Sequence, residues 1–161
     1  MSQLAGGSRA RVPVGAPHDP NRVGHDWLAT LGEVTLFEGL SRRHLRRIAK
    51  LAHVRRFVSG SAIVRVGDAG TSFFVLLDGT ARVVPTSGRV RRLGAGDSFG
   101  EMALLDGAPR SADVVADGEV LTLTIGRSSF GKLLRQEPVL AQELLRTLAA
   151  RLRAAERSRA D

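Results

Sequence analysis

The hydrophobic period of this chain changes twice, and the two changes confine its fold. From Asp26 to about Ala52 apolar residues recur at helical spacing, with Trp27, Leu28 and Leu31 on one side and Leu45, Ile48, Ala49 and Ala52 on another. Ser41 is the N-cap expected for the second of these helices, which runs over Arg42 to Leu51. Between Ile63 and Ile125 the pattern is short and near period two: Ile63–Val66, Phe73–Leu77, Ala81–Val84, Val90–Leu93, Asp113–Val115 and Val120–Ile125 read as strands. Asp78-Gly79 is a two-residue hairpin signal, Ser87-Gly88 marks another turn, and Pro85 limits the end of its strand. Helical spacing then returns, in a short helix with Phe130, Leu133 and Leu134 and a longer one from Pro138 to about Arg157. Helices at both ends and strands between predict a mainly β protein: an antiparallel, jelly-roll-like β-roll of about eight strands, an N-terminal helical segment and a long C-terminal helix. A β-rich interior of that kind suits a small-molecule cavity.

Residues 1–24 carry Gly, Pro and small residues without periodicity, too little apolar surface to offset ordering, and predict a flexible tail ahead of one domain over 25–161. The chain has 161 residues and no cysteine, so disulfides, thiolate metal sites and cysteine nucleophiles are excluded. No apolar run approaches the roughly 20 residues that cross a bilayer, and the N-terminus lacks the apolar core of a signal peptide. The expectation is a cytoplasmic protein without a membrane partner.

The chemistry concentrates in Phe99 to Ala112, Phe-Gly-Glu-Met-Ala-Leu-Leu-Asp-Gly-Ala-Pro-Arg-Ser-Ala. It reads as a loop, one helical turn over Met102 to Leu105, a Gly-Pro turn, and an arginine entering a strand. Unpaired N–H groups at the start of such a turn favour an anion. Gly100 lets a ligand approach the backbone. The Glu101 carboxylate accepts from hydroxyls, and the Arg110 guanidinium offers a fork that matches paired phosphate oxygens, with the Ser111 hydroxyl beside it. An acceptor for a sugar hydroxyl and a cationic fork for a phosphate together describe a receptor for a sugar phosphate.

This stretch resembles the phosphate-binding cassette of cyclic nucleotide-binding domains, with Phe99-Gly100-Glu101 and Arg110-Ser111-Ala112 matching without gap or substitution. Leu36-Phe37-Glu38-Gly39-Leu40-Ser41 before an amphipathic helix resembles the N-terminal helical segment of the same family. The resemblance, covering about residues 30 to 157, implies a stand-alone module like the ligand-binding half of cAMP receptor proteins. It implies that Glu101 binds the ribose 2′-hydroxyl and that Arg110 pairs with the cyclic phosphate. Phe99, Gly100, Met102, Ala103, Ser111 and Ala112 complete the ligand-binding set. Ser at position 111 leans toward cAMP over cGMP. In relatives the end of the C-terminal helix covers the base; here that end offers Arg153 first and Arg157 second, with Leu152 as apolar contact. Ala155 falls where some bacterial relatives place a base-contacting hydroxyl.

Enzyme signatures are missing. Gly94-Ala95-Gly96-Asp97-Ser98-Phe99 ends in Phe where a dinucleotide fingerprint needs Gly, and there is no Walker-type phosphate loop. The histidines His18, His25, His44 and His53 all precede the strands at spacings unsuited to a metal. The reading is a non-catalytic sensor with no catalytic cofactor and with cAMP, or else cGMP, as ligand. A formal charge of +8 raises the question of DNA. No helix-turn-helix follows the long helix, so sequence-specific DNA binding is not expected.

Two surfaces point to partners. Arg42, Arg43, Arg46, Arg47 and Lys50 share a helix face without an acid, a solvated face or a dock for an acidic protein. Ala141, Leu145, Leu148, Leu152 and Ala155 form a heptad-like stripe, with Leu140 and Leu144 beside it. That stripe packs on the roll or pairs with an effector or a second subunit. A scaffold with a vestigial cassette, docking through the basic helix, is the alternative to a nucleotide sensor.

Overall fold

The computed structural model describes residues 26–160. The expected tail over 1–24, His18 and His25 lie outside the described residues. The described chain begins with α1 (Asp26–Gly32), a 3-10 turn (Thr35–Phe37) and α2 (Arg42–Ala49). Ser41 caps α2 as expected, its side chain accepting from the His44 N–H at 3.3 Å. Six strands follow: β1 (His53–Phe57), β2 (Ala62–Val64), β3 (Ser72–Pro85), β4 (Arg91–Leu93), β5 (Ser98–Phe99) and β6 (Ala112–Gly126). The cassette helix α3 (Ala103–Asp106) lies between β5 and β6, and α4 (Arg127–Gln136) and α5 (Pro138–Ala160) end the described chain.

All strand pairs are antiparallel, in the order β1-β6-β3-β4, with β2 also on β6 and β5 also on β3. The architecture is the predicted mainly β one, with six strands in place of about eight. The difference lies in β3 and β6, each of which joins two of the expected short strands. Asp78-Gly79 is not a hairpin: the register of β3 on β6 shifts around it, from Asp78 opposite Leu121 to Thr80 opposite Asp117. Gly79 has φ +92°, and Gly118 opposite that level has φ +82°. A Cβ at Gly79 would collide with the Glu119 carbonyl. Two Asp-Gly pairs facing each other bend the ribbon together, so neither chain reverses. Two short strands were not expected: β1, whose Arg55-Arg56 interrupts alternation, and β5, which opens the cassette.

Alternation along β3 divides the core. Phe73 and Val75 face the helices and join Leu31, Leu36, Phe37, Ile48, Phe130, Leu140 and Leu144. Phe37 meets Phe73 edge-on at 6.0 Å and Phe130 at 5.9 Å. Phe74 and Leu76 face the other side with Phe57, Ile63, Val83, Leu93, Val114 and Val120. Of the apolar residues on α5, Leu140 and Leu144 enter the core, whereas Leu145 and Leu152 are 64% and 62% exposed. The heptad-like stripe is therefore only partly used for packing, with Leu148 half-buried.

Candidate functional site

Four strands place one row of side chains at the same level. Val64 is opposite Val114, Val114 opposite Val83, and Val83 opposite Arg91. Register partners share a face, so three valines and an arginine form a floor across β2, β6, β3 and β4. Over that floor the chain from Ser98 to Ala112 folds back and encloses a cavity of about 370 Å³. Phe99, Gly100, Glu101, Met102, Ala103, Arg110, Ser111 and Ala112, eight of the expected site residues, all line it. Arg153 and Arg157 do not, and no α5 residue is among the lining residues; both arginines are exposed on the last turns of that helix, as is Leu152.

Arg110 is held at both ends. Its N–H donates to the Asp68 carbonyl at 2.8 Å, and its carbonyl accepts from the Gly67 N–H at 2.9 Å. The guanidinium donates to the Ser72 carbonyl and stands 5.9 Å from the centre of the Phe74 ring. Phe74 in turn stacks on Phe99 at 5.0 Å. Gly100, at φ +79°, passes directly beside the guanidinium, and a Cβ there would collide with it. Burial pushes the Arg110 pKa below the ordinary arginine value, with the Asp68 charge acting the other way. Among the described residues no carboxylate pairs with this guanidinium within 4 Å, so its charge is available to an anion in the cavity.

Glu101 is the second pole. One carboxylate oxygen accepts from the Leu36 N–H at 3.3 Å, and the other lies 3.5 Å from the Arg151 guanidinium on α5. A carboxylate has about four lone-pair sites, so acceptor capacity remains for a sugar hydroxyl. The amides of Ala103 and Leu104 are already bonded to the Gly100 and Glu101 carbonyls at 3.1 and 3.2 Å. The donors that remain on this side of the cavity are the Arg110 guanidinium and backbone before Ala103.

Sequence reasoning missed the valine row and Arg91, because register between distant strands leaves no local signal. It also missed Gly70, buried beneath the cassette, where a Cβ would lie 2.5 Å from Ala103 Cβ and 2.6 Å from the Ala108 carbonyl. Arg151, one residue before Leu152 and two before Arg153, reaches the cassette from α5 through Glu101.

The family model described as cyclic nucleotide-binding domain matches residues 54–137. A cAMP-dependent protein kinase regulatory subunit from Colletotrichum orbiculare is 37% identical over 106 residues, 65% of this chain and 27% of that protein. Glutaminase 2 of Bradyrhizobium diazoefficiens is 38% identical over 121 residues, 74% of this chain and 19% of that protein. The chain thus spans about a quarter or less of these curated relatives. Among solved structures, the N-terminal domain of a transcriptional regulator from Streptomyces coelicolor A3(2) superposes with a TM-score of 0.71 at 28% identity, covering 80% of this chain and 94% of that one. The regulatory domain of Toxoplasma gondii PKA with cAMP gives 0.63 at 28% identity, covering 81% and 51%. With its cassette residues gathered on one cavity and more than half its length matched by the family model, the chain belongs to the cyclic nucleotide-binding domain family.

Proposed function

We propose that this chain is a non-catalytic cytoplasmic sensor, one domain over 25–161 behind a tail, that binds cAMP and passes the event on through α5. The observation that carries the reading is the pairing of Arg110 and Glu101 on one cavity with a valine floor. The phosphate takes the guanidinium, the ribose 2′-hydroxyl donates to Glu101, and the purine lies against the valines. Glu101 also touches the 3-10 turn and α5, so a ligand that engages it acts on both helical ends. The tip of α5 then closes over the base, with Arg153 or Arg157 stacking on the purine and Leu152 adding apolar contact. The exposed Leu145 and Leu152 give α5 a face for an effector or a second subunit. Calorimetric titration with cAMP and cGMP tests the assignment: saturable one-to-one binding with cAMP the tighter supports it, and a folded protein that binds neither refutes it.

One observation favours a second ligand. Arg91 closes the valine row with N–H donors. Guanine presents two acceptors on one edge where adenine places a donor beside its acceptor, so Arg91 favours cGMP while Ser111 leans to cAMP. If cGMP binds tighter, and Arg91→Ala removes that preference, the base is read by the edge strand. The protein-docking alternative rests on Arg42, Arg43, Arg46, Arg47 and Lys50, all exposed, of which Arg47 is ion-paired with Glu137 at 3.1 Å.

A further inference from the structure

His44 is buried, 4% exposed, yet lies outside the cavity just described. Its Nδ1 is 2.8 Å from a Glu143 carboxylate oxygen on α5 and 3.0 Å from Ser41 Oγ, and its Nε2 is 4.0 Å from Glu137 at the junction of α4 and α5. The other Glu137 oxygen is held by Arg47 on α2 at 3.1 Å. Glu143, Glu137 and Arg47 are the charged groups that face the ring from α5, the helix junction and α2. A carboxylate 2.8 Å from Nδ1 requires a proton there. That proton makes the His44 ring a donor to Glu143, so the contact between α2 and α5 is directional.

Glu143 begins a polar stripe on α5 at intervals of four residues. Thr147 Oγ1 donates to the Glu38 carbonyl at 2.9 Å, and Arg151 lies 3.5 Å from Glu101. Leu140 and Leu144 anchor the same helix by apolar packing, which has no direction of its own. Directional contacts along the stripe set the rotation of the helix about its axis.

We propose that His44 is a positioning residue for ribose recognition. By gripping Glu143 it sets the rotation of α5 that brings Arg151 to Glu101, where Arg151 and the Leu36 N–H together orient the carboxylate. This rests on the cyclic nucleotide reading of the cassette.

The experiment measures affinity for cAMP and for 2′-deoxy-cAMP in wild type, His44→Asn and His44→Leu. The ratio of the two affinities reports the 2′-hydroxyl contact alone. Asn keeps a donor in the place of Nδ1, so its ratio stays near that of wild type. Leu loses about threefold to tenfold of the ratio, the worth of one hydrogen bond. A merely structural role would weaken both nucleotides by the same factor. A wild-type ratio in His44→Leu, or a ratio in His44→Asn as low as in His44→Leu, overturns the proposal. Should circular dichroism find His44→Leu unfolded, Glu143→Ala replaces it, with the same loss of ratio expected and a wild-type ratio contradictory. Wild type that binds neither nucleotide sinks the cassette reading itself, a different failure from a His44→Leu protein that binds both at the wild-type ratio.

Discussion

Replacing Arg110 by Ala separates the site from the scaffold. Among the described residues the side chain makes one hydrogen bond, to the Ser72 carbonyl, and a loose contact with the Phe74 ring. Losing a donor to a part-buried carbonyl costs about 1 kcal/mol. Removing a cation whose burial already lowers its pKa gives part of that back. Stability should therefore change little. Binding is another matter, because the phosphate would be left in the cavity without a partner. Truncating one member of a desolvated charge pair costs roughly 2–5 kcal/mol, which is about 30-fold to several-thousand-fold in affinity. Arg110→Lys keeps the charge without the fork and should fall between. Calorimetry with cAMP, beside a thermal melt of each variant, reads both effects. A folded Arg110→Ala protein that binds as tightly as wild type would refute the assignment of the phosphate to this residue.

Three further outcomes follow from the same geometry. Glu101→Gln keeps one acceptor, so cAMP affinity falls less than with Arg110→Ala, while discrimination against 2′-deoxy-cAMP shrinks; competition between the two nucleotides checks it. Gly70→Ala forces Ala103 and the Ala108 carbonyl outward, so the cassette shifts and nucleotide affinity drops, with a melting temperature lowered by an amount that ligand partly restores. Ending the chain after Arg151 removes the proposed lid residues but keeps the Glu101 contact; hydrogen exchange on the intact protein should show residues 152–158 protected by cAMP, and equal protection with and without ligand would leave only a rigid cup.

The cassette was legible because its chemistry is local: glycine, carboxylate and guanidinium lie within twelve residues and reach one cavity through a single turn of helix. Helix positions were legible for the same reason, from Ser41 at the start of α2 to Pro138 at the start of α5. What failed depends on partners distant in sequence. Asp78-Gly79 has the chemistry of a hairpin and becomes a bend only because β6 brings Asp117-Gly118 to the same level. The row from Val64 to Arg91 exists only once four strands are in register. On α5 the sequence sets Leu145 and Leu152 in one stripe and Leu140 and Leu144 beside it, and only packing shows that the latter pair is buried and the former is not. His44 could be read as a satisfied imidazole, but its partners Glu137 and Glu143 lie more than ninety residues away in the chain.

The central claim is that one cyclic nucleotide occupies the cavity between the cassette and the valine row and acts on α5 through Glu101. Backbone amide shifts of the isotopically labelled protein, followed through a titration with cAMP, test it most directly. The account predicts saturable shifts centred on Gly100, Glu101, Ser111 and Val83, with a second group at Leu36 and Arg151, the two contacts of Glu101. No shifts, or shifts confined to the basic face of α2, would contradict it.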